Sequence, residues 1–153
     1  MKWKQPPVIK IYEALGSVVD GRIELTGDTA KVYSSSGNKY YDVAYDHAKN
    51  AIMTNDNGSY WKGYLGYPAI SYLLKIGVLE YKADIAELLK GIKWKDVNQK
   101  FKNDFDKTIL YIEGNMTEEN KSRLHEYVES LEQRINVLNL SLLGPKQTPP
   151  EGY

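Results

Sequence analysis

One stretch, Asp56-Asn57-Gly58-Ser59-Tyr60-Trp61-Lys62-Gly63-Tyr64-Leu65-Gly66-Tyr67-Pro68, divides this chain into two kinds of patterning. Before it, apolar residues come in short alternating runs separated by turns. After it, they recur every three or four residues. The stretch itself interleaves turn formers with Tyr60, Trp61, Tyr64, Leu65 and Tyr67, so it must pack as well as turn. A small sheet meeting a helical layer satisfies both demands, with this segment as the joint, and the fold is expected to be α+β.

Upstream, Pro6-Pro7 opens a helix through about Val19, since proline is tolerated in a first turn. Val8, Ile11, Tyr12, Leu15, Val18 and Val19 give it one apolar face, and Gly21 follows its end. Four strand-like runs come next, over 22–25, 30–34, 40–45 and 51–54. Turns rich in Gly, Asn, Asp and Ser separate them, which describes a small antiparallel meander. Downstream, Pro68 starts a short helix to about Lys75, closed by Gly77, and residues 82–90 form another, stopped by Gly91. Two long helices are then expected. In the first, Trp94, Val97, Phe101, Phe105, Thr108 and Ile112 share a face. In the second, Leu124, Val128, Leu131, Ile135, Leu138 and Leu142 make a heptad seam. Thr117 is the expected N-cap of the second, and the short connection over 113–117 makes the pair an antiparallel α-hairpin. The chain thus divides into an α+β domain over 1–91, a helical hairpin extension packed on it over 92–143, and a flexible tail over 144–153.

No cysteine occurs among the 153 residues, which excludes disulfides, thiolate zinc sites and iron–sulfur clusters. His47 and His125 are the only imidazoles. His47 beside Asp42, Asp46 and Asp56 falls short of the convergent set a stable metal site needs, and His125 reads as helix surface, so no metal or other cofactor is expected. Twenty basic and twenty acidic residues cancel, which argues against general polyanion binding while leaving room for a local basic face. Residues 1–7 lack the apolar run of a signal peptide, and no window approaches the ~18 apolar residues that span a bilayer. A cytoplasmic protein without membrane contact is expected. Gly63 and Gly66 ahead of a helix have neither P-loop nor dinucleotide-fingerprint spacing, and tight packing accounts for them. Asp104 and Asp106 lie two apart on a helix and do not face each other. No nucleophile–base pairing emerges, so no catalytic residue is assigned and the chain is read as non-enzymatic.

Short strands, a turn, and a helix opened by Gly66-Tyr67-Pro68-Ala69-Ile70-Ser71-Tyr72-Leu73-Leu74 resemble the core of the SWIM domain, a small zinc-binding module associated with DNA or protein interaction. The resemblance covers residues 31–74. It places the family's Cys-x-Cys at Thr54 and Asp56 and its Cys-x-His at Gly66 and Pro68, so all four ligands are replaced here. What it implies is a metal-free SWIM-like module in which aromatic packing stands in for zinc. An independent α+β unit is the competing account of the same pattern.

The aromatic choice is skewed, with 13 Tyr against 2 Phe and 3 Trp, and tyrosine suits half-buried positions where the ring packs and the hydroxyl stays wet. Tyr60, Trp61, Lys62, Tyr64 and Tyr67 are therefore the candidate surface of an interaction or assembly module with an unknown protein partner. Trp61 and Tyr64 are at the same time expected to be packing anchors, with Trp61→Ala costing about 3–5 kcal/mol if the ring is buried. The recognition surface is the competing reading of these two rings. The alternative function is nucleic-acid binding. Residues 83–103 loosely follow a helix-turn-helix around Gly91. Lys90, Lys93, Lys95, Lys100, Lys102 and Lys107 stand against three aspartates, a local +3 over 90–107 that could meet phosphates. Six glutamates against Lys121 and Arg123 give −4 over 113–132, and a hairpin would bring the two blocks together. Tyr127, Val137 and Leu140 lie off the seam, and Leu110 and Tyr111 lie off the first helix's face. This apolar surplus predicts a homodimer through residues 94–142.

Overall fold

The four strand-like runs form β1 (Ile23–Thr26), β2 (Thr29–Tyr33), β3 (Tyr40–Asp46) and β4 (Ala51–Thr54), antiparallel neighbours in chain order. This computed structural model describes residues 1–145, so beyond Pro145 the expected tail lies outside the described residues. Ala30 and Val32 on β2 and Tyr41, Val43 and Tyr45 on β3 face the core, while Lys31 and Tyr40 face solvent. That alternation marks a sheet packed on one side only. β4 is buried throughout. Its outer edge is closed by an unexpected fifth strand, β5 (Ser141–Leu142), which pairs with it in parallel. Residues 1–4 then run along β5, with Leu142 N–H donating to Met1 O at 2.8 Å and Trp3 N–H to Leu140 O at 3.0 Å.

Among the described residues six α-helices complete the fold: α1 (Val8–Val19), α2 (Tyr67–Lys75), α3 (Ala83–Ala86, continued by a 3₁₀ turn over Glu87–Leu89), α4 (Trp94–Lys100), α5 (Phe105–Glu113) and α6 (Glu118–Leu138). α2 lies on the sheet, α1 lies on α2, and α3 and α6 pack on α1. α2 is buried from Tyr67 to Leu74, and α1 is buried at Ile9 and throughout 11–17. A helix enclosed on all sides is a core element. The single apolar face expected for α1 is therefore too narrow. Val8 is partly exposed, while Glu13 and Ser17 go inside and Lys10 follows them most of the way.

The first long helix is two helices. Lys102 and Asn103 take left-handed backbone angles (φ 52° and 61°), and Asn103 N–H closes on Asn98 O at 2.8 Å to end α4. The Asp104 carboxylate then caps α5 by accepting from Lys107 N–H. The hairpin has unequal arms of nine and 21 residues. Thr117 caps the longer arm as expected, accepting from Asn120 N–H at 3.1 Å. Leu124, Val128, Leu131 and Ile135 are its buried seam, but Leu142 has left the helix for β5, because Asn139 turns left-handed (φ 49°) and ends α6. Glu113 joins the arms: its buried carboxylate meets His125 Nε2 at 2.7 Å and accepts from Tyr12 OH at 2.9 Å. Of the apolar surplus, Tyr127 and Leu140 are buried inside the chain, while Leu110, Tyr111 and Val137 are exposed. Among the described residues no helix is long and apolar enough to cross a membrane.

Candidate functional site

Enclosing α1 carries charge into the interior, and α4 packs where that charge emerges. Gly16 makes the close approach possible, since a Cβ there would lie 2.6 Å from Trp94 Nε1. One turn earlier on α1, Glu13 is 4% exposed and Asn98 of α4 is 9% exposed. Between them and the turn after β2 lies a cavity of about 150 Å³, walled by Lys10, Glu13, Arg22, Trp94, Asn98 and Asn103 among others.

The hydrogen-bond accounting of this wall does not close. Asn98 Nδ2 donates to Glu13 Oε1 at 2.7 Å. A carboxylate only accepts, so the amide nitrogen must face Glu13 and Asn98 Oδ1 must face elsewhere. That oxygen is buried without a partner, as are Trp94 Nε1 and Arg22 Nη2. Arg22 is held by Nη1, which donates to Tyr33 O at 2.6 Å, while Nε lies 3.5 Å from Asp20 without a hydrogen bond. Glu13 Oε2 has only its ion pair with Lys10, so five such atoms belong to side chains around one cavity. An unmet buried polar atom costs ~1–3 kcal/mol, and the group calls for an explanation. Lys10 Nζ lies 3.0 Å from Glu13 Oε2. Burial pulls the Lys10 ammonium down, but Glu13 foremost, then Tyr64 and Asp56, more than offset it and hold the pKa above its usual range. Lys10, Arg22 and Lys95 against Glu13 leave the wall net positive.

The joint between sheet and helices is knotted around Asp56. Its buried carboxylate accepts from Thr54 Oγ1 at 2.9 Å and from Ser59 Oγ at 2.7 Å, and Gly66 N–H donates to Ser59 Oγ at 2.9 Å. Burial pushes the Asp56 carboxyl up, with the bonds from Ser59 and Thr54 opposing it. Three of the positions that the SWIM resemblance puts in a ligand role, Thr54, Asp56 and Gly66, meet in this knot, and Pro68 sits in the first turn of α2. The knot supports a single π-helical turn, Gly58–Lys62, and that turn carries Trp61 outward. Trp61 is 65% exposed, with its ring edge-on to Tyr60 at 4.7 Å, so the reading of Trp61 as a buried anchor fails. Tyr64 is half-buried over Gly58, and Tyr67 is buried. Trp61, Lys62, Tyr64 and Tyr67 share a second hollow of about 320 Å³ with Phe105, while Tyr60 contacts the Trp61 ring but does not line the hollow.

The lysines proposed for nucleic acid are dispersed in role. Lys90 pairs with Glu87 at 3.8 Å and Lys107 with Asp104 at 3.9 Å, both local rather than with the α6 glutamates. Lys93 donates to Ser35 O, Lys95 lines the cavity, Lys100 lies 4.2 Å from the Tyr111 ring centroid, and Lys102 sits exposed in the left-handed bend. His47 is exposed and bonded to Tyr45 OH, and among the described residues no group of three His, Asp or Glu could hold a metal ion. Sequence reasoning missed Lys10, Glu13, Arg22 and Asn98 as site residues. The available signal was on α1: Ile9 and Ala14 lie off the assigned apolar face, so the helix had to be enclosed and its charges with it.

Residues 3–141 match the family model described as "Uncharacterised conserved protein UCP014422", and the chain belongs to that family. No curated protein and no solved structure matches it.

Proposed function

We propose that this member of the UCP014422 family is a non-enzymatic binding module whose ligand is a small organic anion carrying its own hydrogen-bond donor. One observation carries the reading: Arg22 Nη2, Trp94 Nε1 and Asn98 Oδ1, three buried atoms without partners, belong to side chains that wall one cavity. The two donors ask for an acceptor, best a carboxylate beside Arg22, and the amide oxygen asks for an O–H or N–H. A 2-hydroxy- or 2-amino-carboxylate supplies both on adjacent atoms, at a size that a cavity of about 150 Å³ admits. Binding rather than turnover is favoured by the rest of the wall. Ser34 Oγ is engaged with Ser36 and Lys39 N–H rather than with a base, and Lys10 is held as an ammonium, which is not a nucleophile.

The test is a titration of ¹⁵N-labelled protein with lactate and with alanine, following the Trp94 indole N–H resonance. The expected result is a saturable shift with at least one of them, lost in Asn98→Ala while circular dichroism stays that of the wild type. No saturable shift with either probe would refute the reading.

A further inference from the structure

The two hollows are neighbours that share part of their walls. Lys10, Tyr67 and Asn103 belong to the walls of both. Lys10 lies where they meet: its Nζ is 3.0 Å from Glu13 Oε2 in the polar lobe and 5.3 Å from the Phe105 ring centroid in the other. One ammonium therefore separates a pocket with unmet polar atoms from a pocket walled by rings. The second lobe differs in chemistry from the first, offering Trp61, Tyr64, Tyr67 and Phe105 with Lys62 at its lip.

Trp61 is the informative residue. A large indole that is 65% exposed is not accounted for by burial in the core. It rides a π-helical turn, a form frequent at functional sites. That turn is anchored by the buried Asp56–Ser59–Gly66 knot, and Gly58 lets the Tyr64 ring close beneath it. A rigid aromatic platform at the lip of a cleft loses little conformational freedom when a second ring covers it.

We infer that the ligand of the polar lobe bears an aromatic ring, joined by a spacer of one or two bonds, and that this ring lies against Trp61 in the second lobe. The inference rests on the reading of the polar lobe as a carboxylate site, and it names the ligand class more closely: an aryl-substituted 2-hydroxy or 2-amino acid. The carboxylate and donor meet Arg22, Trp94 and Asn98. The spacer passes Lys10, whose ammonium stays paired with Glu13, and the ring leaves water for the aromatic wall.

Lactate and 3-phenyllactate differ only by that ring, which makes them the probes. Affinities are read from the Trp94 indole resonance by titrating the full chain. Phenyllactate should bind about tenfold tighter than lactate, the gain expected from partly burying one phenyl ring. Trp61→Ala, an exposed position, should bring phenyllactate down to lactate's affinity, and Asn98→Ala should weaken both. Equal affinities in the wild type would overturn the inference while leaving the carboxylate reading intact. A phenyllactate advantage that survives Trp61→Ala would also overturn it, by placing the ring elsewhere. If neither probe shifts the resonance, the reading of the polar lobe falls and the inference falls with it.

Discussion

Gly66→Ala adds one methyl group directly against a buried carboxylate, and its cost can be worked out from the contacts. The backbone at Gly66 is extended (φ −79°, ψ 168°), so alanine meets no conformational penalty. Losing a glycine even restricts the unfolded chain, worth about 0.4–1 kcal/mol in favour of the variant. As the residue capping α2, alanine is poorer than glycine by a similar amount, so those two effects roughly cancel. What remains is steric. The new Cβ would lie 2.1 Å from Asp56 Oδ2, 2.3 Å from Oδ1 and 2.4 Å from Cγ. Overpacking of this kind costs about 1–3 kcal/mol. Asp56 cannot swing away cheaply, because moving it breaks bonds from Thr54 and Ser59, each worth about 1.5–3 kcal/mol to a charged acceptor. The expected loss is about 3–5 kcal/mol in equilibrium urea unfolding. A double-mutant cycle isolates the cause: in an Asp56→Ala background the methyl group has room, so Gly66→Ala should be cheaper there by at least about 1 kcal/mol. A loss below about 1 kcal/mol in the wild-type background, or strict additivity in the cycle, would refute the account of the knot.

Three further predictions bear on the same elements. Asp56 has a raised pKa in the folded protein, so the stability it lends is fully present below about pH 3.9 and is lost as pH rises through the folded value. Asp56→Asn removes that loss, so the stability difference between variant and wild type should move in the variant's favour from pH 4 to pH 7 in paired urea titrations. Trp61→Ala should change the unfolding free energy by no more than about 0.5 kcal/mol, as for other surface substitutions, and a thermal melt shifted well beyond that would mean the ring packs in solution. Tyr12→Phe strips a donor from the buried Glu113 carboxylate and should cost about 1–3 kcal/mol, unless Glu113→Gln is already present, in which case the added cost should shrink.

The strands and turns of the meander were legible because their information is local. A strand alternating on a one-sided sheet shows its pattern in five residues, and Gly, Asn and Asp mark the reversals. The π-helical turn and β5 were not legible, for opposite reasons. Leu142 continues a heptad rhythm, and only the left-handed Asn139 together with the waiting edge of β4 turns Ser141 and Leu142 into a strand. The break at Lys102 and Asn103 is a case of the same kind: a lysine, ordinarily a good helix former, and an asparagine end a helix here, and neither is the glycine that most often marks such an end.

The candidate site was half legible, and the half that was missed follows from a single assumption. Tyr64, Tyr67, Trp61 and Lys62 were found because aromatic rings among turn formers are conspicuous, and they do line a cleft. Lys10 and Glu13 were passed over because, in a helix with an apolar stripe, charges on the other side are assigned to water. That assignment holds only if the helix has a wet side. α1 has almost none, because α2, α3, α4 and α6 surround it, and a sequence read one helix at a time cannot count neighbours. Once enclosed, the pair at 10 and 13 has to be satisfied inside, and Asn98 is drawn to it across more than eighty residues of chain, while Arg22 walls the same cavity. The polar lobe thus exists because a core helix kept its charges. The aromatic lobe exists because the joint beside it had to turn and pack at once.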